Sequence, residues 1–171
     1  MVSDAKPRGN FFSFVGSVGL LAAVFGGSDA LATDGISTTS ILEGDTVVSY
    51  VRIYADAEGG SHFEDLEAGL NLVEVAPGIA PLYASPFKQA SQYAFISAKP
   101  GWKEDWHTAP QRQFLVYLAG VTEFQVSDGE IRKLGPGTIL LAEDTIGKGH
   151  ISEVVGEDDV VAVLIQTDGR R

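Results

Sequence analysis

The stretch "RQFLVYLAGVTEFQVSDGEIRKL", residues 112–134, decides the fold. Three runs rich in β-branched and aromatic side chains follow one another there, and none has the 3.6-residue apolar period of a helix. Asp128-Gly129 separates the second run from the third, and that dipeptide favours the tight two-residue turn of an antiparallel hairpin. Along the first run side chains alternate between faces. Gln111, Gln113, Leu115 and Tyr117 therefore share one face, and Arg112, Phe114, Val116 and Leu118 share the other. Further runs of the same kind, "VVSYVRIY", "LNLVEV", "QYAFISA", "TILLA", "HISEVV" and "VVAVLIQ", lie on either side, with "GPG" at 135–137 and "GEDD" at 156–159 as further reversals. About nine or ten strands in roughly 120 residues hide their edges best by closing into a barrel or folding as a double-sheet jelly roll. The prediction is an all-β jelly-roll barrel over residues 47–171.

The remainder of the chain differs in kind. Residues 1–32 carry Lys6 and Arg8, then the uncharged run "FFSFVGSVGLLAAVFGGS", then small residues at Ala30 and Ala32, which is the layout of a cleavable export signal. This predicts a secreted, periplasmic or organelle-directed protein. A retained membrane anchor, the one case with a membrane partner, and a misplaced start codon on a cytoplasmic protein are the alternatives. Residues 33–46, "TDGISTTSILEGDT", read as a linker or loosely docked arm. Three prolines in "APGIAPLYASPFKQA", residues 76–90, predict a crossover packed by Leu82, Tyr83 and Phe87, running over the surface or covering a barrel mouth.

Composition narrows the function. A chain of 171 residues with 44% hydrophobic content builds one core rather than two full domains. A formal net charge of −11 opposes binding to phosphate backbones, which sets nucleic acid aside as a partner. The absence of cysteine removes disulfides, thiolate nucleophiles and thiolate metal sites. No serine lies in a nucleophile elbow, and neither "GPG" nor "GKG" has the spacing of a phosphate-binding loop.

Chemistry then falls to the histidines. In "EDWHTAPQRQF", residues 104–114, Pro110 turns the chain so that His107 comes back toward Gln113 on the cavity side of the next strand. In "EDTIGKGH", Gly147 and Gly149 permit positive φ and close backbone approach, and His150 opens a strand as His107 closes one. Trp102 and Trp106 offer an apolar or stacking wall, and Glu143 or Asp144 approaches if the turn before His150 folds inward. His62, beside Glu64, Asp65 and Glu67, reads as part of a solvated edge with Phe63 and Leu66 toward the core, and Arg112 as an ion-pairing residue on the opposite face from Gln113.

The segment from Gly101 to His150 resembles the two motifs of the cupin superfamily, small double-stranded β-helix barrels. In the first motif, G-x5-H-x-H-x3or4-E-x6-G, Gly101 and Gly120 take the glycines, His107 the first histidine, Ala109 the second and Gln113 the glutamate. In the second, G-x5-P-x-G-x2-H-x3-N, Gly147 and His150 match, Gly137 takes the first glycine from two residues further upstream, and Thr145 replaces the proline and Val154 the asparagine. The resemblance implies a cupin-like barrel, and a homodimer, since cupins commonly pair through barrel edges. Metal-using cupins hold Mn, Fe, Ni or Zn through three histidines and a glutamate. Here the resemblance leaves His107, Gln113 and His150 as metal ligands. A glutamine supplies an oxygen without charge, so three readings stay open. One is a small-molecule isomerase, cyclase or lyase using His107, His150 and Tyr117, with Gln111, Gln113, Trp102 and Trp106 lining its cavity and with or without a weakly held metal. The second is a non-catalytic structural or interaction domain, and the third a metal-dependent, dioxygenase-like oxidoreductase.

Overall fold

Alternation of burial along the strands places the core. In the computed structural model, β9 (Val121–Val126) buries Thr122, Phe124 and Val126 and turns its other residues outward, as a strand with one face on a core must. The structure describes residues 36–37 and 46–168; the predicted export signal and most of the predicted arm lie outside them. The other elements are β1 (Ile36–Ser37), β2 (Val47–Ala55), β3 (Ser61–Gly69), β4 (Asn71–Val73), β5 (Leu82–Ala84), β6 (Gln92–Ala98) and β7 (Lys103–His107). After them come β8 (Gln113–Ala119), β10 (Ile131–Leu134), β11 (Ile139–Ala142), β12 (His150–Val155) and β13 (Val160–Gln166).

Two sheets face each other in the double-sheet arrangement of a jelly roll, one ordered β1-β10-β9-β12-β7 and one ordered β3-β2-β11-β8-β13-β6. Val51, Ile53, Tyr117, Leu140 and Ala162 from the six-stranded sheet meet Phe124, Val126, Leu134 and Val154 from the five-stranded one in a single buried cluster. The predicted all-β class holds throughout the described residues, every regular element of which is a strand.

Local departures from the sequence reading have physical causes. The turn at Asp128-Gly129 has three loop residues rather than two: Val126 and Glu130 close it, Gly129 sits at φ 97°, and Ser127 joins the loop. Ser127 is drawn in because its hydroxyl accepts from the Ser61 amide at 2.7 Å and its own amide donates to the Ser61 hydroxyl at 2.8 Å. The segment read as a solvated edge is the nine-residue edge strand β3, which pairs with β2 along its whole length and leaves Asp65 and Glu67 exposed. Alternation then sends Phe63 into the core and Leu66 to the other face, so the two do not share the core. Only Asn71–Val73 of "LNLVEV" is a strand, paired with β5 in a separate two-stranded ribbon. Leu82, Tyr83 and Phe87 stand exposed there instead of packing the crossover, Phe87 at 83%.

Three close backbone contacts lock the barrel end that carries the histidines. Gly149, at φ 72°, lies against the His107 carbonyl where a Cβ would overlap it, and Gly147, at φ 82°, lies less tightly against the Gly59 carbonyl, which a Cβ there would also overlap. The Ser61 hydroxyl donates to the Gly149 carbonyl at 2.5 Å. Beside this junction His62 is clamped between two carboxylates, with Nε2 2.7 Å from Asp56 and Nδ1 2.7 Å from Asp128. The Asp56 and Asp128 hydrogen bonds hold the imidazole above its ordinary 6.5. Asp56 is held below 3.8 by His62 and then by the Gly60 amide, and Asp128 below the same value chiefly by the Glu130 amide.

Two outcomes follow from this junction. Gly149→Ala introduces both the overlap and a left-handed alanine, and is expected to destabilise the fold by about 1–3 kcal/mol or more in urea unfolding; a wild-type midpoint would show that the backbones separate freely. Because His62 is raised in the folded state, its contribution is complete below its unfolded value and is lost as pH rises through its folded value. Since Asp56 and Asp128 are lowered, theirs is lost on acidification, so the clamp acts between the two ranges. The deficit of His62→Gln against wild type is therefore expected to be larger at about pH 5.5 than at about pH 9. An equal deficit at both would mean that the ring acts only by packing.

Candidate functional site

His107 is the last residue of β7 and His150 the first of β12, and the antiparallel register makes them direct partners. Their rings meet edge to face, centroids 4.4 Å apart at 60°. His107 Nδ1 is 2.7 Å from the Asp105 carbonyl oxygen, which can only accept, so Nδ1 carries the hydrogen. His150 is buried and donates from Nδ1 to the carboxylate of fully buried Asp144 at 2.6 Å. Each ring, when neutral, thereby keeps its lone pair on Nε2. The second Asp144 oxygen, Oδ1, is buried without a hydrogen-bond partner among the described residues, while Oδ2 is held by the His150 imidazole.

Both rings line a cavity of about 300 Å³ between the sheets. Gln113, Tyr117, Thr122 and Ser152 add polar groups, half-exposed Trp102 forms part of its wall, and most of the remaining lining is aliphatic. The lining contains no lysine, arginine, aspartate or glutamate.

The expected cluster is only partly assembled. Strand alternation brings Gln113, Leu115 and Tyr117 to the cavity as expected, while Gln111 precedes β8, is exposed and does not line it. Trp106, 46% exposed, is also outside the lining, because in β7 it falls on the face opposite to its neighbour His107. Tyr117 reaches the cavity from within the core. Burial pushes its phenol far above the ordinary 10, against a smaller opposite effect of its hydrogen bond with Thr122, so it remains protonated and acts as a hydrogen-bond group rather than a base.

A metal ion at this place would meet His107 and His150 Nε2 and Gln113 Oε1, which accepts from Gln166 Nε2 at 3.2 Å. Ala109, buried and lining the cavity, offers a methyl group at the fourth position. Glu143 turns away to Arg52 and Arg112, and Asp144 holds His150 from the Nδ1 side. Three neutral donors give a divalent ion little electrostatic attraction, and among the described residues no three His, Cys, Asp or Glu side chains converge in a metal-holding geometry.

No protein-family model matches the chain, and no curated protein matches it. Among solved structures the chain is similar to the Cnp3 cupin domain of Schizosaccharomyces pombe, with 14% identity and a TM-score of 0.36 over 72% of this chain and 86% of that one. It is also similar to the capsular polysaccharide assembling protein CapF of Staphylococcus aureus, with 15% identity and a TM-score of 0.35 over 71% of this chain and 31% of CapF. A conserved protein of unknown function from Streptococcus pyogenes gives 17% identity and a TM-score of 0.37 over 50% and 72%. These likenesses are of fold, and the double-sheet barrel itself rests on the strand order and register above.

Proposed function

We propose that the barrel cavity takes up a small uncharged molecule and that His150, oriented by Asp144, moves a proton on it. The observation that carries this reading is the buried Asp144–His150 pair, which commits Nδ1 and leaves Nε2 for the cavity. Nε2 acts as general base, and Asp144 stabilises the imidazolium that forms, as the carboxylate does in other carboxylate–histidine pairs. The His150 imidazolium then returns that proton at a second position of the molecule, with the His107 ring in contact beside it. This suits isomerisation, cyclisation or elimination. A lining without formal charge favours an uncharged substrate, and about 300 Å³ lies at the small end of the usual range for ligand pockets. The neutral donor set favours chemistry without a resident metal. If a metal is held, His107, Gln113 and His150 would hold it, and it would supply Lewis-acid or redox chemistry.

Cyclohexanone and γ-butyrolactone serve as probes, with deuterium uptake at the α-carbon followed by NMR in heavy water. Uptake above the buffer rate that falls about 100-fold in His150→Gln and also falls in Asp144→Asn is expected. If neither probe exchanges or raises the melting temperature, and the two variants change only stability, the non-catalytic barrel replaces this reading. Stoichiometric Zn, Ni, Fe or Mn in emission spectra, lost in His107→Ala, would replace it with the metal-dependent one.

The second part of the proposal is a homodimer. Among the described residues strand β6 is an edge of the six-stranded sheet without a further partner, and it contains neither charge nor proline, with Tyr93 and Phe95 exposed at 73% and 75%. Such an edge invites another strand, and a second copy provides one with closed two-fold symmetry. Sedimentation is expected to give a dimer that Phe95→Lys converts to monomer; a wild-type monomer at high concentration removes this part.

A further inference from the structure

A second concavity, of about 770 Å³, lies on the outward face of the six-stranded sheet. Alternation separates it from the cavity: Arg52, Tyr54, Arg112 and Phe114 face this groove, whereas Val51, Ile53, Gln113 and Leu115 face inward. Arg52 and Arg112 each donate from Nε to a different oxygen of Glu143. Each guanidinium has a second anchor, Arg52 Nη1 on Glu64 and Arg112 Nη1 on the Thr167 hydroxyl, both at 2.8 Å. Each also lies over an aromatic ring, Arg52 over Tyr54 at 4.6 Å and Arg112 over Phe114 at 5.6 Å. The two forks are thus fixed before any ligand arrives, and each commits two of about five N–H groups to these anchors.

The segment between β5 and β6 supplies Lys88 to the same groove, and Lys88 makes no ion pair with any described residue. The lining carries three cations, Arg52, Lys88 and Arg112, and two anions, Glu143 and Asp168, and Glu64 pairs with Arg52 from just outside it, so Lys88 is the cation that stands apart from the arginine–glutamate network. Mutual pairing accounts for the two arginines and Glu143, and the guanidiniums take one face of Tyr54 and of Phe114, which leaves Lys88 without an ion pair among the described residues and Ile146 exposed in the groove.

We infer that this groove binds a small organic carboxylate with a flat apolar body, its oxygens on Lys88 and on the N–H groups that Arg52 and Arg112 leave free beside Glu143, and its body against Phe114 and Ile146. Charge-assisted bonds to planar guanidiniums give the carboxylate its orientation, and the rings give the body its surface. The ligand class differs from that of the inner cavity, whose lining carries no fixed charge.

Calorimetric titration of the full chain with benzoate tests this, alongside benzamide, which keeps the shape without the charge, and inorganic phosphate, which keeps a charge without the body. Saturable one-to-one binding of benzoate is expected, with benzamide and phosphate at least about tenfold weaker. Lys88→Gln, at an exposed position, is expected to weaken benzoate several-fold and Arg112→Gln about tenfold or more, with circular dichroism reporting folding. If Arg112→Gln does not fold, Lys88→Gln decides alone. Benzoate binding is expected to survive His150→Gln, which keeps this result independent of the proposed proton chemistry. No saturation with benzoate, binding indifferent to Lys88→Gln, binding lost in His150→Gln, or equal affinity for benzamide or phosphate would each overturn the inference.

Discussion

Strand β12 can enter beside β7 only because residue 149 has no Cβ. The His107 carbonyl occupies the space that a side chain there would need, and the backbone takes a left-handed turn at that residue. This contact fixes the register that sets His107 opposite His150. It also fixes how close the two rings stand and which nitrogens their neighbours claim. The Ser61–Ser127 exchange and the His62 clamp brace the same corner from the outside. Loss of any one brace leaves the others in place, whereas a side chain at 149 acts on the register itself.

Sequence periodicity was informative where a strand had one buried and one exposed face. The alternation of residues 113–117, the reversal at Asp128-Gly129 and the strand-end positions of both histidines are local properties, set by the chain's own pleat and turn chemistry. Strands β3 and β7 were less legible, because "SHFEDLEAG" and "KEDWH" are acidic and owe their pairing to β2 and β12, far away in sequence for β7. Gln111 was placed on the cavity face by extending the alternation two residues before the strand begins. The role of Asp144 was hidden for a different reason: a carboxylate six residues before a histidine reads equally well as a metal ligand, a surface charge or an orienting partner, and only burial separates them. The joining of Arg52, Arg112 and Glu143 was beyond any local pattern, since Glu143 lies 91 residues from one partner and 31 from the other.

Two neighbouring carboxylates show how differently a protein treats the same chemistry. Burial is the largest single influence on Glu143 and would raise its pKa, but the two guanidiniums that engage both its oxygens together outweigh it and hold the pKa below the ordinary 4.5. Asp144 is buried more deeply and leaves one oxygen unpaired, an omission that costs a folded protein about 1–3 kcal/mol. The first arrangement satisfies a charge. The second retains unmet hydrogen-bonding capacity behind a histidine, which is how a site keeps a group available for work rather than for stability alone.

Glu143 and Asp144 are consecutive in the chain, immediately beyond β11, yet one serves the outer groove and the other the histidine of the inner cavity. Leu140 and Ala142 face the cavity just ahead of them, so the parity of position along this one strand assigns each carboxylate to its side. The sheet is a wall a single residue thick. Deletion of Ala142 would exchange the two assignments, bringing Asp144 to the place beside the arginines and Thr145 to the place beside His150. The two sites therefore share a reading frame in space, and neither can be shifted along the strand without the other.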